Sequence, residues 1–214
     1  MNYEIFEIGE QNKIKLFISK EHRFGTDSLL LGEFTGNVKN KTVCDLCTGC
    51  GIIPIILHNA KKIYAVEIQE EAIELLTKTK QENNLNIKII KGDLRNIPDL
   101  EIPRESVDIV TANPPYYTLN SGHERSSAAQ KSARYDSTCT IEDVVNSSAY
   151  LLKFGGELKM CMTSERLTDV VSVMRSYKIE PKEITFISGK NNKARLFLIS
   201  GKKGAGVGVT ITWK

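Results

Sequence analysis

The sequence has no long apolar run, and it lacks the even set of cysteines that cross-links small secreted domains. Its longest apolar stretch, Ile52 to Leu57, is short and contains Pro54, so a membrane-spanning helix is excluded. Acids precede any base at the start of the chain and no apolar stretch follows, so no signal peptide is expected. Five cysteines, an odd number, argue against a disulfide framework. We therefore expect a cytoplasmic protein.

The composition is that of an ordinary globular protein. Of the 214 residues, 41% are hydrophobic and 26% are charged, which suffices for a core without a metal or disulfide. No linker or internal repeat divides the chain. We predict a single domain over residues 1–214, with an N-terminal hairpin (1–22), a catalytic core (23–200) and a short C-terminal segment (201–214).

Charge is distributed unevenly along the chain. Residues 1–110 carry 14 Lys and Arg against 17 Asp and Glu, and residues 111–214 carry 15 against 9. A cationic half suits a polyanion such as RNA, whereas the simpler interpretation is a solvated surface rich in lysine.

Three cysteines, Cys44, Cys47 and Cys50, form a C-x2-C-x2-C run. This spacing is found in iron–sulfur ligation, but Cys139 and Cys161 lie too far away to complete the usual pattern. Cys44 also falls in an apolar strand. We therefore predict packing roles and no metal.

Predicted strands and helices alternate along the chain. We predict a β-hairpin in the first twenty residues, a helix capped by Thr26-Asp27-Ser28, strands at 42–46, 63–67, 87–91, 107–112 and 157–162, helices at 51–59, 70–83, 141–154 and 165–177, and a final hairpin of 184–188 and 194–200. Repeated β-α-β units predict an α/β fold with a Rossmann-like, doubly wound sheet. It is mostly parallel, with one antiparallel strand from the C-terminal hairpin.

Polar groups follow four successive predicted strands, whose carboxyl ends meet where such sheets bind ligands. These groups are Asp45, Cys47, Gly49 and Gly51 after the first strand, Glu67 and Ile68 after the second, Asp93 and Leu94 after the third, and Asn113 after the fourth. Glycines permit close approach of the backbone to a ligand. Glu67 can accept hydrogen bonds from both hydroxyls of a ribose. Asp93 can accept one from an adenine amine, and Asp45 can accept one from a cationic amine.

These residue types favour an adenosine ligand that carries an amine and no pyrophosphate. No Lys or Arg lies in the glycine turn to hold phosphates, and Pro54 replaces the third glycine of G-x-G-x-x-G. S-adenosylmethionine fits this description. A nicotinamide dinucleotide is the alternative.

The tetrapeptide Asn113-Pro114-Pro115-Tyr116 is the most specific signal in the chain. The lone pair of an adenine amine is delocalised into the ring, so catalysis must localise it. The Asn113 side-chain oxygen and the Pro114 carbonyl can each accept one N–H bond, which favours a pyramidal nitrogen. The prolines stiffen the turn, and Tyr116 offers a ring for stacking on the base. Alternatively, this is a loop turn with a packed tyrosine.

The segments VCDLCTGCGIIPI, AVEI, GDL and NPPY resemble the amino-group class of S-adenosylmethionine-dependent methyltransferases. RFGTDSLLLGEF and HERSSAAQKSARYD are similar to the bacterial tRNA-valine adenosine-37 N6-methyltransferases, and the resemblance runs from about residue 3 to about residue 200. It implies that Thr26 and Asp27 cover the methionine end of the cofactor. Cys47 departs from the glycine that is frequent in the family turn, and the final GKKGAGVGVTITWK lacks a Pro-rich segment.

Residues 117–135 form a long segment with few apolar groups, in which His123, Arg125, Lys131 and Arg134 are cationic or potentially so. Long loops in compact domains are usually functional, and Arg and Lys can contact phosphates. The predicted RNA-contacting residues are Tyr116, Tyr117, Arg125, Lys131, Arg134 and Tyr135.

The sequence thus predicts a methyltransferase that uses S-adenosylmethionine and acts on N6 of an adenosine in tRNA. The resemblance implies adenosine 37, beside the anticodon of a valine tRNA. We expect the protein to bind the anticodon loop of tRNA and not to bind a membrane. We also expect it to be a monomer. Three alternatives stay open: a glutamine methyltransferase acting on a translation release factor, a non-catalytic module that binds cofactor and RNA, and methylation of other RNA or DNA adenines.

Overall fold

The computed structural model describes residues 3–9, 13–114, 139–189 and 193–214. The strands in this part of the chain are β1 (Glu4–Ile8), β2 (Ile14–Ile18), β3 (Thr42–Leu46), β4 (Lys62–Glu67), β5 (Ile87–Lys91), β6 (Val107–Ala112), β7 (Leu152–Thr163), β8 (Ile179–Ser188), β9 (Ala194–Lys203) and β10 (Thr210–Trp213). The helices are α1 (Thr26–Thr35), α2 (Ile52–Ile56), α3 (Glu70–Glu82), α4 (Ile141–Leu151) and α5 (Leu167–Ser176), and short 3₁₀ segments span Leu94–Asp99 and Ser164–Arg166.

Eight of the described strands form one sheet in the order β10-β8-β9-β7-β6-β3-β4-β5. β9 runs antiparallel to both of its neighbours, and the other pairs in this sheet are parallel. The predicted α/β class, with a mostly parallel Rossmann-like sheet and one antiparallel strand, is confirmed.

Helices cover both faces of this sheet. On one face, Leu31 of α1 and Ile53 of α2 belong to the same buried cluster as Val43 of β3. On the opposite face, Val144 of α4 and Met174 of α5 join a second buried cluster. Burial on both faces explains why the parallel strands read as continuous apolar runs.

The first two strands form a separate hairpin. Glu4 pairs with Ile18 and Ile8 with Ile14, which confirms the predicted N-terminal hairpin. It attaches to α3, because the Phe17 backbone N–H donates to Thr79 Oγ1 at 3.0 Å.

The start predicted for α1 is wrong. Thr26 and Asp27 are not caps but lie in the first turn of the helix, and Gly25 is the N-cap residue without a side-chain cap. The start of α4 is correct, since the Thr140 hydroxyl accepts from the Asp143 N–H and the Asp143 carboxylate accepts from the Thr140 N–H.

The predicted end of α4 at Gly155-Gly156 is wrong, because α4 stops at Leu151 and the chain enters β7 at once. There Leu152 pairs with Val107 of β6. Strand β10 was not predicted; it pairs in parallel with β8, with Trp213 opposite Phe186. Among the described residues, no helix has both the length and the apolar character that crossing a membrane requires.

Candidate active site

A cavity of about 700 Å³ opens at the carboxyl ends of β3, β4, β5 and β6. Most of the residues that the sequence predicts for the site come together in its wall. These are Thr26, Asp27, Cys47, Gly49, Glu67, Ile68, Asp93, Leu94, Asn113 and Pro114.

The two glycines of the turn after β3 have different roles. Gly49 has a φ of +55°, and a Cβ at this position would meet open space on the cavity side. Gly51 is the N-cap of α2 with a φ of +89°, and a Cβ there would lie 2.3 Å from Leu76 Cδ1. Gly51 does not line the cavity. Glycine is needed at this position because the turn packs closely against α3.

Cys47 begins this turn in a backbone conformation that glycine adopts with less strain. Its φ is +57°, which is uncommon for a residue with a Cβ. Cys47 and Cys139 both line the cavity. A hydrogen bond between them raises the pKa of the Cys47 thiol and lowers that of Cys139.

Glu67 ties the end of β4 to the glycine turn. One carboxylate oxygen accepts from the Gly49 N–H at 2.8 Å, and the other accepts from the N–H groups of Ile68 and Gln69 at 2.9 Å each. The residue is 5% exposed. This carboxylate therefore fixes the shape of the turn as well as facing the cavity.

Asp93 follows β5 and is held by Arg95. Its carboxylate accepts from the Arg95 backbone N–H at 2.9 Å and from Nε at 3.0 Å. The hydrogen bonds from the Arg95 side chain lower the pKa of the Asp93 carboxyl. Asp93 is thus kept as a hydrogen-bond acceptor at the cavity edge.

Asp45 lies beneath the cavity instead of in its wall. It is fully buried, and the Thr111 hydroxyl donates to its carboxylate at 2.6 Å. Burial raises the pKa of the Asp45 carboxyl to about 7. The second oxygen, Oδ2, has no hydrogen-bond partner among the described residues. The predicted direct contact of Asp45 with a cofactor amine remains a prediction.

Asn113 stands at the end of β6, where the cavity meets α1. Its side-chain nitrogen donates to Ser28 Oγ at 2.7 Å and to Asp27 Oδ2 at 3.2 Å. A carboxylate oxygen accepts and does not donate, so the nitrogen and not the oxygen must face Asp27. The Asn113 side-chain oxygen consequently lies on the side of the amide away from Asp27.

Several cavity residues were missed by sequence reasoning. They are Arg23, Phe24 and Ser28 near α1, Cys139, Thr163 at the end of β7, and Arg195 and Leu196 at the start of β9. Thr163 pairs with Leu196, so the end of β7 and the start of β9 lie side by side at the same edge. Ser28 had a local signal, because it follows the predicted pair Thr26 and Asp27 directly.

The predicted RNA-contacting residues lie outside the described part of the chain. They are Tyr116, Tyr117, Arg125, Lys131, Arg134 and Tyr135. In the described part, Cys44 and Cys50 are buried, and no group of three or more His, Cys, Asp or Glu side chains is arranged to hold a metal ion.

Comparison with known families identifies this architecture. The family described as "Methyltransferase domain" matches residues 37–194, which is well over half of the chain. This chain belongs to the methyltransferase domain family. The matched range contains the glycine turn, Glu67, Asp93 and Asn113, the strand-end residues that line the cavity.

Similar curated proteins include tRNA adenine methyltransferases and a glutamine methyltransferase. A tRNA1(Val) (adenine(37)-N6)-methyltransferase of Christiangramia forsetii is 22% identical over 176 residues, which are 79% of this chain and 72% of the relative. One from Histophilus somni is 31% identical over 149 residues, 67% of this chain and 61% of the relative. A release factor glutamine methyltransferase of Leptospira interrogans is 35% identical over 98 residues, 42% of this chain and 33% of that protein. The resemblance inferred from the sequence motifs is confirmed.

A solved structure shares the fold of this methyltransferase. The crystal structure of a predicted O-methyltransferase from Agrobacterium tumefaciens superimposes with a TM-score of 0.68 at 18% identity, over 87% of this chain and 85% of that one. At this identity the likeness supports the fold.

S-adenosylmethionine is the methyl donor of this methyltransferase, as the family implies. The cavity fits such a ligand, because carboxylates from two successive strand ends face it and the glycine turn leaves open space above Gly49. No Lys or Arg stands in that turn to bind a pyrophosphate.

Proposed function

We propose that this methyltransferase transfers a methyl group to N6 of an adenosine in tRNA, at adenosine 37 beside the anticodon of a valine tRNA. The observation that carries the proposal is the orientation of Asn113. Its amide nitrogen is held by α1, so its oxygen is directed toward the other side, where an amine could donate to it. The names of the similar curated proteins support tRNA as the substrate.

Asn113 and Pro114 would act on the nucleophile. The Asn113 side-chain oxygen and the Pro114 carbonyl each accept one N–H of the adenine amine. The nitrogen becomes pyramidal, and its lone pair points at the methyl carbon. Because the Asn113 amide is held by α1 before the substrate arrives, this acceptor needs no reorganisation at the moment of reaction. As the new N–C bond forms and the C–S bond breaks, the electron pair goes to sulfur and the amine then loses a proton to water.

Glu67 and Asp93 would bind the methyl donor. S-adenosylmethionine supplies a methyl group made electrophilic by its sulfonium. We assign the ribose hydroxyls to Glu67 and the adenine amine to Asp93, since each carboxylate is an acceptor at the cavity wall. Glu67 is held by backbone N–H groups of the glycine turn and of its own turn, and Asp93 is held by Arg95, so binding starts from an ordered site.

An unpaired arginine at the cavity supports an anionic substrate. Arg195 lines the cavity, is exposed, and forms no ion pair with any described residue. Arg23, which also lines the cavity, is paired with Glu4 at 2.6 Å. Guanidinium groups contact phosphates through two parallel bonds, which suits an RNA backbone. The contacts predicted for Arg125, Lys131 and Arg134 remain part of the proposal.

Methyl transfer from labelled donor tests the proposal directly. Unmodified valine tRNA is incubated with the protein and digested to nucleosides. Label in N6-methyladenosine is expected, and it should vanish when adenosine 37 is replaced by guanosine. Label elsewhere in the RNA would contradict the assigned position, and absence of label would contradict RNA as the substrate.

Asn113→Ala gives the sharpest test of the chemistry. Loss of a preorganised acceptor should reduce kcat by ~10²-fold or more, while donor binding measured by calorimetry changes little. Near-normal turnover would remove Asn113 from the mechanism.

One alternative has a specific observation in its favour. The Leptospira release factor glutamine methyltransferase is similar over 98 residues, 42% of this chain. An amide nitrogen has the same delocalised lone pair as an adenine amine. Label in a glutamine of a translation release factor, with none in tRNA, would favour it.

A further inference from the structure

The side chain of Asn113 is held by residues more than eighty positions earlier in the chain. Its amide carries two N–H groups, and the structure gives each an acceptor on α1: Ser28 Oγ at 2.7 Å and Asp27 Oδ2 at 3.2 Å. Ser28 is 7% exposed. Asp27 and Asn113 are half-buried, so the contact lies at a partly buried junction between α1 and the end of β6, where hydrogen bonds are stronger than in open water.

The two acceptors have different effects on the amide. The serine hydroxyl can accept or donate, so it can pair with either the nitrogen or the oxygen of the Asn113 amide. The Asp27 carboxylate only accepts, so it determines that the nitrogen faces α1. Ser28 gives the shorter contact and limits rotation, whereas Asp27 selects the orientation.

The local backbone makes room for this arrangement. A Cβ at Gly25 would lie 2.2 Å from Asp27 Oδ1, so glycine at the N-cap lets the carboxylate fold back over the start of the helix. Asp27 also lies in the first turn of α1, where the helix dipole favours a negative charge. A carboxylate is therefore well supported at this point.

We propose that Ser28, together with Asp27, is a positioning residue for methyl transfer that acts through Asn113. The inference rests on the proposed function and deepens it. The pair holds the amide so that its oxygen is the acceptor for the substrate amine. Donation of both N–H groups to oxygen acceptors also shifts electron density onto the amide oxygen, since linked hydrogen bonds polarise one another. The oxygen thereby becomes a stronger acceptor for the nucleophile.

Ser28→Ala should separate positioning from binding. We expect kcat to fall by ~10-fold, with the KM for tRNA and the Kd for S-adenosylmethionine changed less than about 2-fold. Ser28→Thr retains the hydroxyl and should restore most of the rate. The matched control is Ser148→Ala, which removes a fully buried serine hydroxyl that donates to the Val144 carbonyl within α4. It should leave kcat unchanged.

A double-mutant cycle tests whether Ser28 acts through Asn113. In an Asn113→Ala background the oriented amide is absent, so adding Ser28→Ala should cause no further loss of rate. Independent, multiplicative losses would overturn the proposal. So would a normal kcat for Ser28→Ala in the wild-type background.

A readout without activity keeps this inference separate from the proposed function. The side-chain amide signal of Asn113 can be assigned in a ¹H–¹⁵N spectrum by its loss in Asn113→Ala. In Ser28→Ala the signal should shift and its protons should exchange faster with water. If the wild-type protein methylates no tRNA, the proposed function fails, and this signal alone decides the orienting contact. An unchanged signal overturns that contact.

Discussion

The large sheet has two parts that differ in strand length and in their share of the cavity. The short-strand part (β5, β4, β3 and β6) has strands of five or six residues, and the long-strand part (β7, β9 and β8) has strands of ten or twelve. In the short-strand part, helices and loops return the chain, so each strand ends at the same edge. That edge carries the acids and the glycine turn. In the long-strand part, β9 runs antiparallel to its neighbours. Among the described residues, this part meets the cavity where the end of β7 pairs with the start of β9.

The short-strand part carries the residues proposed to bind the ligands, and the long-strand part mainly stabilises the fold. Side chains at the ends of short strands are fixed by hydrogen bonds within and between their turns, such as those of Glu67 and Asp93. The long-strand part buries its apolar side chains and contributes Thr163, Arg195 and Leu196 to the rim. Substitutions in the two parts should therefore affect different measurements.

The largest effect is expected on stability in the long-strand part. Ile179 begins β8 at the sheet edge opposite the cavity and is fully buried. Ile179→Ala should lower the free energy of unfolding by about 2–5 kcal/mol, through lost burial and a cavity. Urea titration measures this, and donor affinity at low temperature should be unchanged. A large loss of donor affinity would show that the two parts are coupled.

The next effect concerns pH and the buried Asp45. Its pKa of about 7 in the folded protein lies above the ordinary 3.8, so the folded state binds more protons between these values and stability falls as pH rises. Asp45→Asn removes this dependence. At pH 8 the variant should be more stable by up to about 4 kcal/mol, and the difference should shrink towards pH 5. A difference that is the same at pH 5 and pH 8 would refute the raised pKa.

Glu67→Gln tests the short-strand part itself. One of the two acceptor oxygens becomes an amide nitrogen, so the turn or the donor loses a hydrogen bond. Calorimetry should show about 10-fold weaker binding of S-adenosylmethionine. Glu70→Gln, on an exposed residue of α3 outside the cavity wall, is the matched control and should bind normally. Equal affinities of the two variants would contradict the role of Glu67.

The smallest effect should come from Arg195 at the rim. Arg195→Glu should weaken tRNA binding several-fold and reduce the slope of log affinity against log salt by about 1. Lys39→Glu makes the same change of charge before β3, at the opposite edge of the sheet. If both variants bind tRNA equally, Arg195 has no local contact with RNA.

Local patterns predicted much of the short-strand part. The bounds of β3, β5 and β6 are those expected, because each is a short apolar run that ends in polar turn residues. Their order alone places Glu67, Asp93 and Asn113 at one edge. The cavity thus follows from the sequence wherever its wall consists of strand ends.

Tertiary contacts explain what was missed. Helix α4 passes into β7 without a turn, because Leu152 pairs with β6 although Gly155 and Gly156 suggest a later stop. Strand β10 depends on β8, and Trp213 packs on Phe186 with ring centroids 4.9 Å apart. Ser28 and Arg195 join the cavity by packing of elements far apart in the chain. Arg195 has no local pattern that signals this, and Ser28 has only its position directly after Thr26 and Asp27.

The position of α1 has a consequence for how such enzymes diversify. The family match begins at residue 37, after α1 has ended at Thr35, yet α1 supplies both acceptors for the Asn113 amide. A shared core can then retain its donor chemistry while a short preceding segment alters which nucleophile is accepted. Such variation is confined to the few residues of α1 that reach Asn113, because Leu31 of the same helix packs in the core with α2 and β3.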